Sequence, residues 1–484
     1  MTQYTELKEE APEAPGLPKR DAELVRDRRA RKPQTASAAD VAEALAAPLA
    51  LGPGVAAAPV PITNFAGIPD TGFFPADCTL AAGPQHVLVA VNSTVAVYPK
   101  TGGAPVLQRT LTSWFSNVIG SAKIFDPKAL YDQFQGRWVL LTVALATNAN
   151  QSWFLLSVSK TSDPLGGWFN YKLDATRDGT TATNNWADFP GLGVDSQALY
   201  LTANMFRFGG DFQYAKIRIV PKSKIYSGGT ATFRDFVKMK NEDGSSAFTV
   251  QPCHTFGAPQ VQYFVNSYFP SSASSSPDRL SLWNLTNPLT TPTLTRRTIR
   301  TAPYALPPDA PQKGNANPLD TGDVRILGAV FRGGSVWTAL TTRHDWGDGI
   351  NVAAAHWFQI NPTSGQLVQQ GIFGAPKISY YYPAVQPDGN GNMVMVFSRS
   401  SSVEFVGIYF TGRQAADPLG QLQPSVPLKL GAASSVHLDG FGRNRWGDYA
   451  GIANDPTDNR TVWMYSMFAS AGNQWGTWIG ATRF

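Results

Sequence analysis

The sequence predicts an all-β repeat fold: a single seven-bladed β-propeller of four-stranded antiparallel blades. Three observations predict it. One phrase recurs, as DPKALYDQFQGRWVLL from Asp126, DFPGLGVDSQALYLT from Asp188, YYPAVQPDGNGNMVMVF from Tyr381 and DYAGIANDPTDNRTVWMY from Asp448. Each copy leads through small residues and an aliphatic to an Asp, a turn and an apolar strand. A second landmark, an Asp-Pro or Asn-Pro turn at Asp163, Asn287, Asn361 and Asp417, follows the position matching Pro127 at separations of 36, 34, 36 and 34 residues. The third is composition: 12% of the 484 residues are aromatic and only 15% are charged, against about 25% charged in an average soluble domain. Radial repetition of four-stranded sheets places two turn landmarks in fixed register in this way.

Taken in order, residues 1–57 stand apart. An acidic, proline-containing stretch leads to KRDAELVRDRRARK (19–32) and an Ala-rich run, a composition that cannot bury a core. A disordered tail with a short Ala-rich helix at 37–48 is expected, able to dock or target the protein. The propeller is expected over 58–484. Its first strands start near Asp77, Asp126, Asp188, Cys253, Asp323, Tyr381 and Asp448, which makes seven modules. The seventh has room for only three strands before Phe484. An uncovered edge is a liability, so VPITNFAG (60–67) is predicted to become the outer strand of the last blade and close the ring. The Asp residues that end the repeated phrase (Asp132, Asp195, Asp388, Asp455) are predicted to cap turns.

The totals exclude several functions. Net charge is +5 and scattered, too dilute for a nucleic-acid face. No apolar run reaches the ~18 residues of a membrane span. Five single histidines and two cysteines give no metal-ligand spacing. Cys78 and Cys253, read as equivalent positions in modules one and four, are expected to be free, buried thiols. The opening MTQYTELKEE lacks the apolar core of a secretory signal, although the low-charge body resembles extracellular proteins. The compartment is therefore open between non-classical export and the cytoplasm.

The segment SVSKTSDPLGGWFNYKL (157–173) resembles a degenerate Asp-box, with Thr161, Asp163, Gly166 and Trp168 in the motif positions and one extra residue before the glycine. On these residues the chain resembles the sialidase-like propellers and their bacterial relatives. The resemblance implies a structural turn between the third and fourth strands, away from any active site. It also implies a chemistry of three arginines, a Glu-activated Tyr and an Asp acid. Arg325, Arg445, Tyr381 or Tyr382, and Asp188 could fill those roles. The glutamate is the departure, because only Glu242 and Glu404 follow residue 60.

First strands line a propeller's channel, so residues at their starts gather at its mouth. These are Asp77, Asp126, Lys128, Trp186, Asp188, His254, Asp323, Arg325, Tyr381, Tyr382, Arg445, Trp446 and Asp448. Aromatics beside acids and amides suit a sugar, whose ring stacks and whose hydroxyls need fixing. Trp186, Asp188, His254, Arg325, Tyr381, Trp446 and Asp448 are the ligand-binding candidates. Asp126, Asp188, Tyr381, Tyr382, Arg325 and Arg445 are the weaker catalytic ones. The plainer reading makes the aspartates backbone caps and the tryptophans packing between blades, since residues repeated in NNWADFP and NRWGDYA serve the repeat. His344, in TTRHDWGDG, is a further candidate. No cofactor is expected, with Ca²⁺ on the Asp-rich mouth as the alternative. A non-catalytic propeller that binds a glycan or protein partner is the favoured function. A glycan-active hydrolase or lyase and a structural subunit of a larger assembly are the alternatives.

Overall fold

The computed structural model describes residues 36–46, 59–272 and 274–484. It is all-β over residues 59–484, apart from short helical turns. The predicted tail lies outside the described residues except for one helix, Ala38–Ala46. Ser37 caps this helix: its hydroxyl accepts the Asp40 N–H at 3.2 Å, and its own N–H reaches the Asp40 carboxylate at 3.2 Å, a reciprocal cap.

Strands come in antiparallel groups of four, each following chain order from a first, inner strand. These first strands are Thr79–Ala82, Lys123–Asp132, Asn185–Val194, Gln251–Thr255, Ala329–Arg332, Ser379–Pro387 and Gly451–Asn454. Each lies beside the next in sequence, and the last lies beside the first. Those of modules three, four and five also pair in parallel, through Val194 with His254 and Cys253 with Ala329. Side chains are excluded where the first strands meet: a Cβ at Gly451 would stand 2.5 Å from the Leu80 backbone nitrogen. The faces between modules are apolar. Trp138 with Val95 joins modules one and two, Val194 with Leu141 modules two and three, and Tyr200 with Phe264 modules three and four.

The last module holds three strands of its own, ending at Gln474–Thr482. Pro61–Pro69 pairs antiparallel with that strand as the fourth, from Pro61 opposite Thr482 to Pro69 opposite Gly476. Three side-chain bonds fix the register. The Thr477 and Thr482 hydroxyls donate to the Ile68 and Val60 carbonyls at 2.6 and 2.8 Å, and the Trp478 indole donates to Asn64 at 3.0 Å.

The turn aspartates act locally and between modules. Asp195 accepts the Gln197 and Ala198 N–H groups, and Asp388 those of Asn390 and Asn392. Asp132 accepts the Phe134 N–H and also forms a fully buried ion pair with Lys222 of module three at 2.7 Å. Asp455 pairs with Lys100 of module one at 2.6 Å. The segment 160–167 forms the turn between the third and fourth strands of module two. There the Asp163 carboxylate accepts the Leu165 N–H, and the Trp168 indole donates to the Pro164 carbonyl.

Candidate functional site

A backbone feature positions the site. Near the front of five first strands one non-glycine residue adopts positive φ: Asp77 (51°), Asp126 (54°), Phe189 (49°), Thr249 (51°) and Tyr382 (54°). Such a residue costs about 1–2 kcal/mol, so something must hold it. In four of the five the neighbouring module does. Asp126 N–H donates to the Asn92 side-chain oxygen (2.6 Å) and Phe189 N–H to the Asp126 carboxylate (3.0 Å). Thr249 N–H reaches the Asn204 oxygen (2.7 Å) and Tyr382 N–H the Thr341 hydroxyl (3.1 Å). In three modules the ladder skips at this corner, between Phe125 and Lys128, Asp188 and Gly191, and Tyr381 and Ala384. A bulge of this kind re-aims its side chains.

The corners bring acids and bases from six modules together: Asp77, Asp126, Lys128, Asp188, Asp323, Arg325, Tyr382, Arg445 and Asp448. Asp323 holds Arg325 through two oxygens, the closest contact 2.6 Å, and Arg445 meets Asp448 at 2.9 Å. The Arg325, Arg445 and Asp448 side chains keep 19, 18 and 26% of their surface exposed, whereas Asp77 and Asp126 are buried. The site is therefore reached by solvent while being enclosed by protein. The Lys128 ammonium stands 3.0 Å from the centre of the Tyr449 ring.

Enclosure shapes the titration. Burial, with the nearby Asp448 carboxylate, raises the Asp126 carboxyl to about 6. Burial also raises Asp77 and Asp188 well above the ordinary carboxylate range, helped by Asp448 and Asp126 at Asp77 and by Asp126 at Asp188. Lys128 is lowered to about 7 by burial, against the pull of Asp126, Asp77 and Asp448. Groups poised near neutrality in an enclosed cleft are characteristic of functional sites. Among the described residues no group of three or more His, Cys, Asp or Glu side chains is arranged to hold a metal ion.

No protein-family model and no curated protein sequence matches the chain. Solved structures resemble it at low identity, sialidase and family-43 β-propellers among them. One is a protein of unknown function from Dyadobacter fermentans, at 10% identity and a TM-score of 0.42 over 90% of this chain and all of the other. A Trypanosoma rangeli sialidase in complex with sialic acid gives 11% and 0.38 over 83% of this chain and 59% of its own. A thermostable family-43 glycoside hydrolase gives 13% and 0.33 over 75% and 91%.

Several expected site residues lie elsewhere. Trp186 packs against Phe125 and Phe206, and Trp446 is fully buried with its indole on Ser398, so neither offers a face to a ligand. Tyr381 is fully buried with its hydroxyl on Ser400; the adjacent Tyr382 takes the corner and turns toward Asp320, where its hydroxyl donates to the carbonyl. His254 is not at the front of its strand. The corner of module four is Thr249, which puts His254 five residues on, at the far end. There its Nε2 lies 2.9 Å from the Gln133 side-chain oxygen, and its ring stacks on Phe256. The same shift makes Cys78 and Cys253 inequivalent; both are free and buried.

Glu404 is bound by Arg399 and Tyr409 of its own module, and among the described residues no glutamate is bonded to Tyr382. His344 rests against Trp346. At the far end of the first strands the turns of five modules are bonded together. Gln133 donates to the Thr255 carbonyl, Arg332 donates to Asn454 and Asn459, and the Gly389 N–H to the Asn459 carbonyl.

Phe189 and Tyr449, which flank Lys128, were missed in the sequence. A signal for them exists. Counting six residues back from each turn aspartate (Asp132, Asp195, Asp388, Asp455) gives Asp126, Phe189, Tyr382 and Tyr449. The phrase as first aligned is one residue out in three of its four copies.

Proposed function

We propose that residues 58–484 form one seven-bladed propeller, closed by the strand Pro61–Pro69, which binds a glycan in a pit at the mouth of its channel. The succession of first strands, with the seventh against the first, supports the ring. The bonded turns at the far end support a pit rather than a through-channel. Asp188, Arg325, Arg445 and Asp448 are the proposed ligand contacts, with the buried Tyr382, Phe189 and Tyr449 side chains beneath them. The observation that carries this reading is the convergence of acids and bases from six modules at corners where Arg325, Arg445 and Asp448 keep solvent contact. Such groups fix hydroxyls. Residues 1–57 are proposed as a tether. A glycan array probed with the full chain and with Asp188→Asn tests the reading; glycan signals that are unchanged in the variant would refute it.

One observation favours a catalytic second reading, glycan hydrolysis or lysis by the same residues. Asp126 at about 6 and Lys128 at about 7 lie near neutrality, where a general acid or base works best. A chromogenic-glycoside panel separates the two readings. Turnover abolished by Asp126→Asn would establish catalysis, and no turnover alongside array binding would leave a binding protein.

A further inference from the structure

We propose that the pit selects ligands bearing a positive charge, amine-bearing glycans in particular, and rejects uronic and sialic acids. This rests on the glycan reading above and adds its charge class. Five carboxylates (Asp77, Asp126, Asp188, Asp323, Asp448) face three cations (Lys128, Arg325, Arg445), so the ionised set carries an excess of two negative charges. Both arginines are already engaged, one with Asp323 and one with Asp448. What remains unmatched is anionic. Asp77 is 1% exposed, and one of its oxygens accepts from the Asn92 amide at 2.5 Å. The other, Oδ1, has no hydrogen-bond partner. The charges that act on this carboxylate from across the site are Asp448, Asp126 and Arg445.

The protein already shows how the site holds an ammonium group. Lys128 Nζ lies over the Tyr449 ring at 3.0 Å and 5.6 Å from the centre of Phe189. Asp126, Asp77 and Asp448 are the carboxylates that favour its charged form. An aromatic face with carboxylates around it is a device for recognising ammonium ions. The carboxylates are not arranged to converge on a metal ion, so the fitting cation is one that brings its own hydrogen-bond donors. Carboxylates short of counter-charge keep protons in an enclosed site; a ligand ammonium beside the part-buried Asp188 would let it ionise. An anionic sugar would oppose that ionisation and would find both arginines already taken.

Isothermal titration of the full chain tests this with three oligomers of equal length: glucosamine, N-acetylglucosamine and galacturonate. The glucosamine oligomer is expected to bind roughly tenfold or more tightly than the N-acetylated one, to weaken with salt, and to lose affinity in Asp188→Asn, with the galacturonate oligomer excluded. Lys128→Met removes a competing charge and is expected to tighten the glucosamine oligomer by about threefold or more relative to the N-acetylated one. A structural lysine would weaken both when replaced, and that result would overturn the proposal. So would equal binding of the amine and N-acetylated forms, which, if lost in Asp188→Asn, leaves the glycan reading standing. Binding of cyclohexylammonium with no oligomer bound would overturn the glycan reading and keep the charge preference. Binding of neither would overturn both. Should Asp188→Asn fail to fold, the Lys128→Met comparison carries the test.

Discussion

Removing residues 1–69 is expected to destabilise the protein sharply beyond the effect of removing 1–58. The larger truncation strips the outer strand from the last module and exposes the ladder of Gln474–Thr482. Ile68 is fully buried among Tyr98, Tyr465, Trp475 and Ile479; truncating such a side chain to Ala costs about 2–5 kcal/mol. The Thr477, Thr482 and Trp478 side chains lose their partners at 2.6, 2.8 and 3.0 Å, at about 1 kcal/mol each. The total is about 5–8 kcal/mol before the ladder is counted. Unfolding entropy of about 2.1 cal/mol/K per residue gives roughly 0.9 kcal/mol/K for about 430 residues. If the ring unfolds as one unit, Tm falls by about 6–9 °C. Differential scanning calorimetry of the two truncations, with Ile68→Ala as the point control at about 2–5 °C, is the assay. Melting of both truncations within 1 °C of each other would refute the role given to this strand.

Other predictions follow from the buried charges. Asp126, at about 6 against an ordinary 3.8, holds its proton more tightly folded than unfolded. Its effect is therefore favourable below about pH 4 and is lost as pH rises through 6, by up to ~3 kcal/mol. Asp126→Asn should then be more stable than wild type at pH 8 and equal at pH 4, measured by urea denaturation; equal stability at pH 8 counts against the enclosed cluster. His254 and His356, lowered to about 3 by burial, act in the opposite direction, and the comparison with wild type cancels them. Asp132→Asn leaves the Lys222 ammonium buried without its partner and should cost ~3–5 kcal/mol, with part recovered in Asp132→Asn/Lys222→Met; a full loss in the double variant would deny the pairing. A denatured Ellman titration should find two thiols, and fewer would contradict the free Cys78 and Cys253.

How much of this was legible in the chain differs between strand and corner. The repeat phrase and its turn aspartates belong to local chemistry: small residues, an Asp that caps the next N–H groups, and an apolar strand. They specified an all-β meander and marked residues 60–67 as a strand without a partner. The corners are different. Which residue turns to positive φ is decided by an acceptor on the neighbouring module, Asn92 for Asp126 or Thr341 for Tyr382. That partner is remote in sequence and leaves no periodic trace. In the repeated phrase Tyr381 and Asp188 accordingly stand level with Asp126, whereas in the structure Tyr382 and Phe189 share its corner. The phrase also places His254 at the mouth, because it is degenerate in module four.

By itself, then, the sequence determined the strand grammar and the kinds of residue at the front of each first strand, because those depend on neighbours a few positions away. Only the tertiary structure decided which of them share one site, and with what charge. A carboxylate's neighbours at Asp77 are Asp126 and Asp448, brought together by the packing of first strands from modules far apart in the chain. Enclosure by that packing shifts their protons, and no local pattern carries this information.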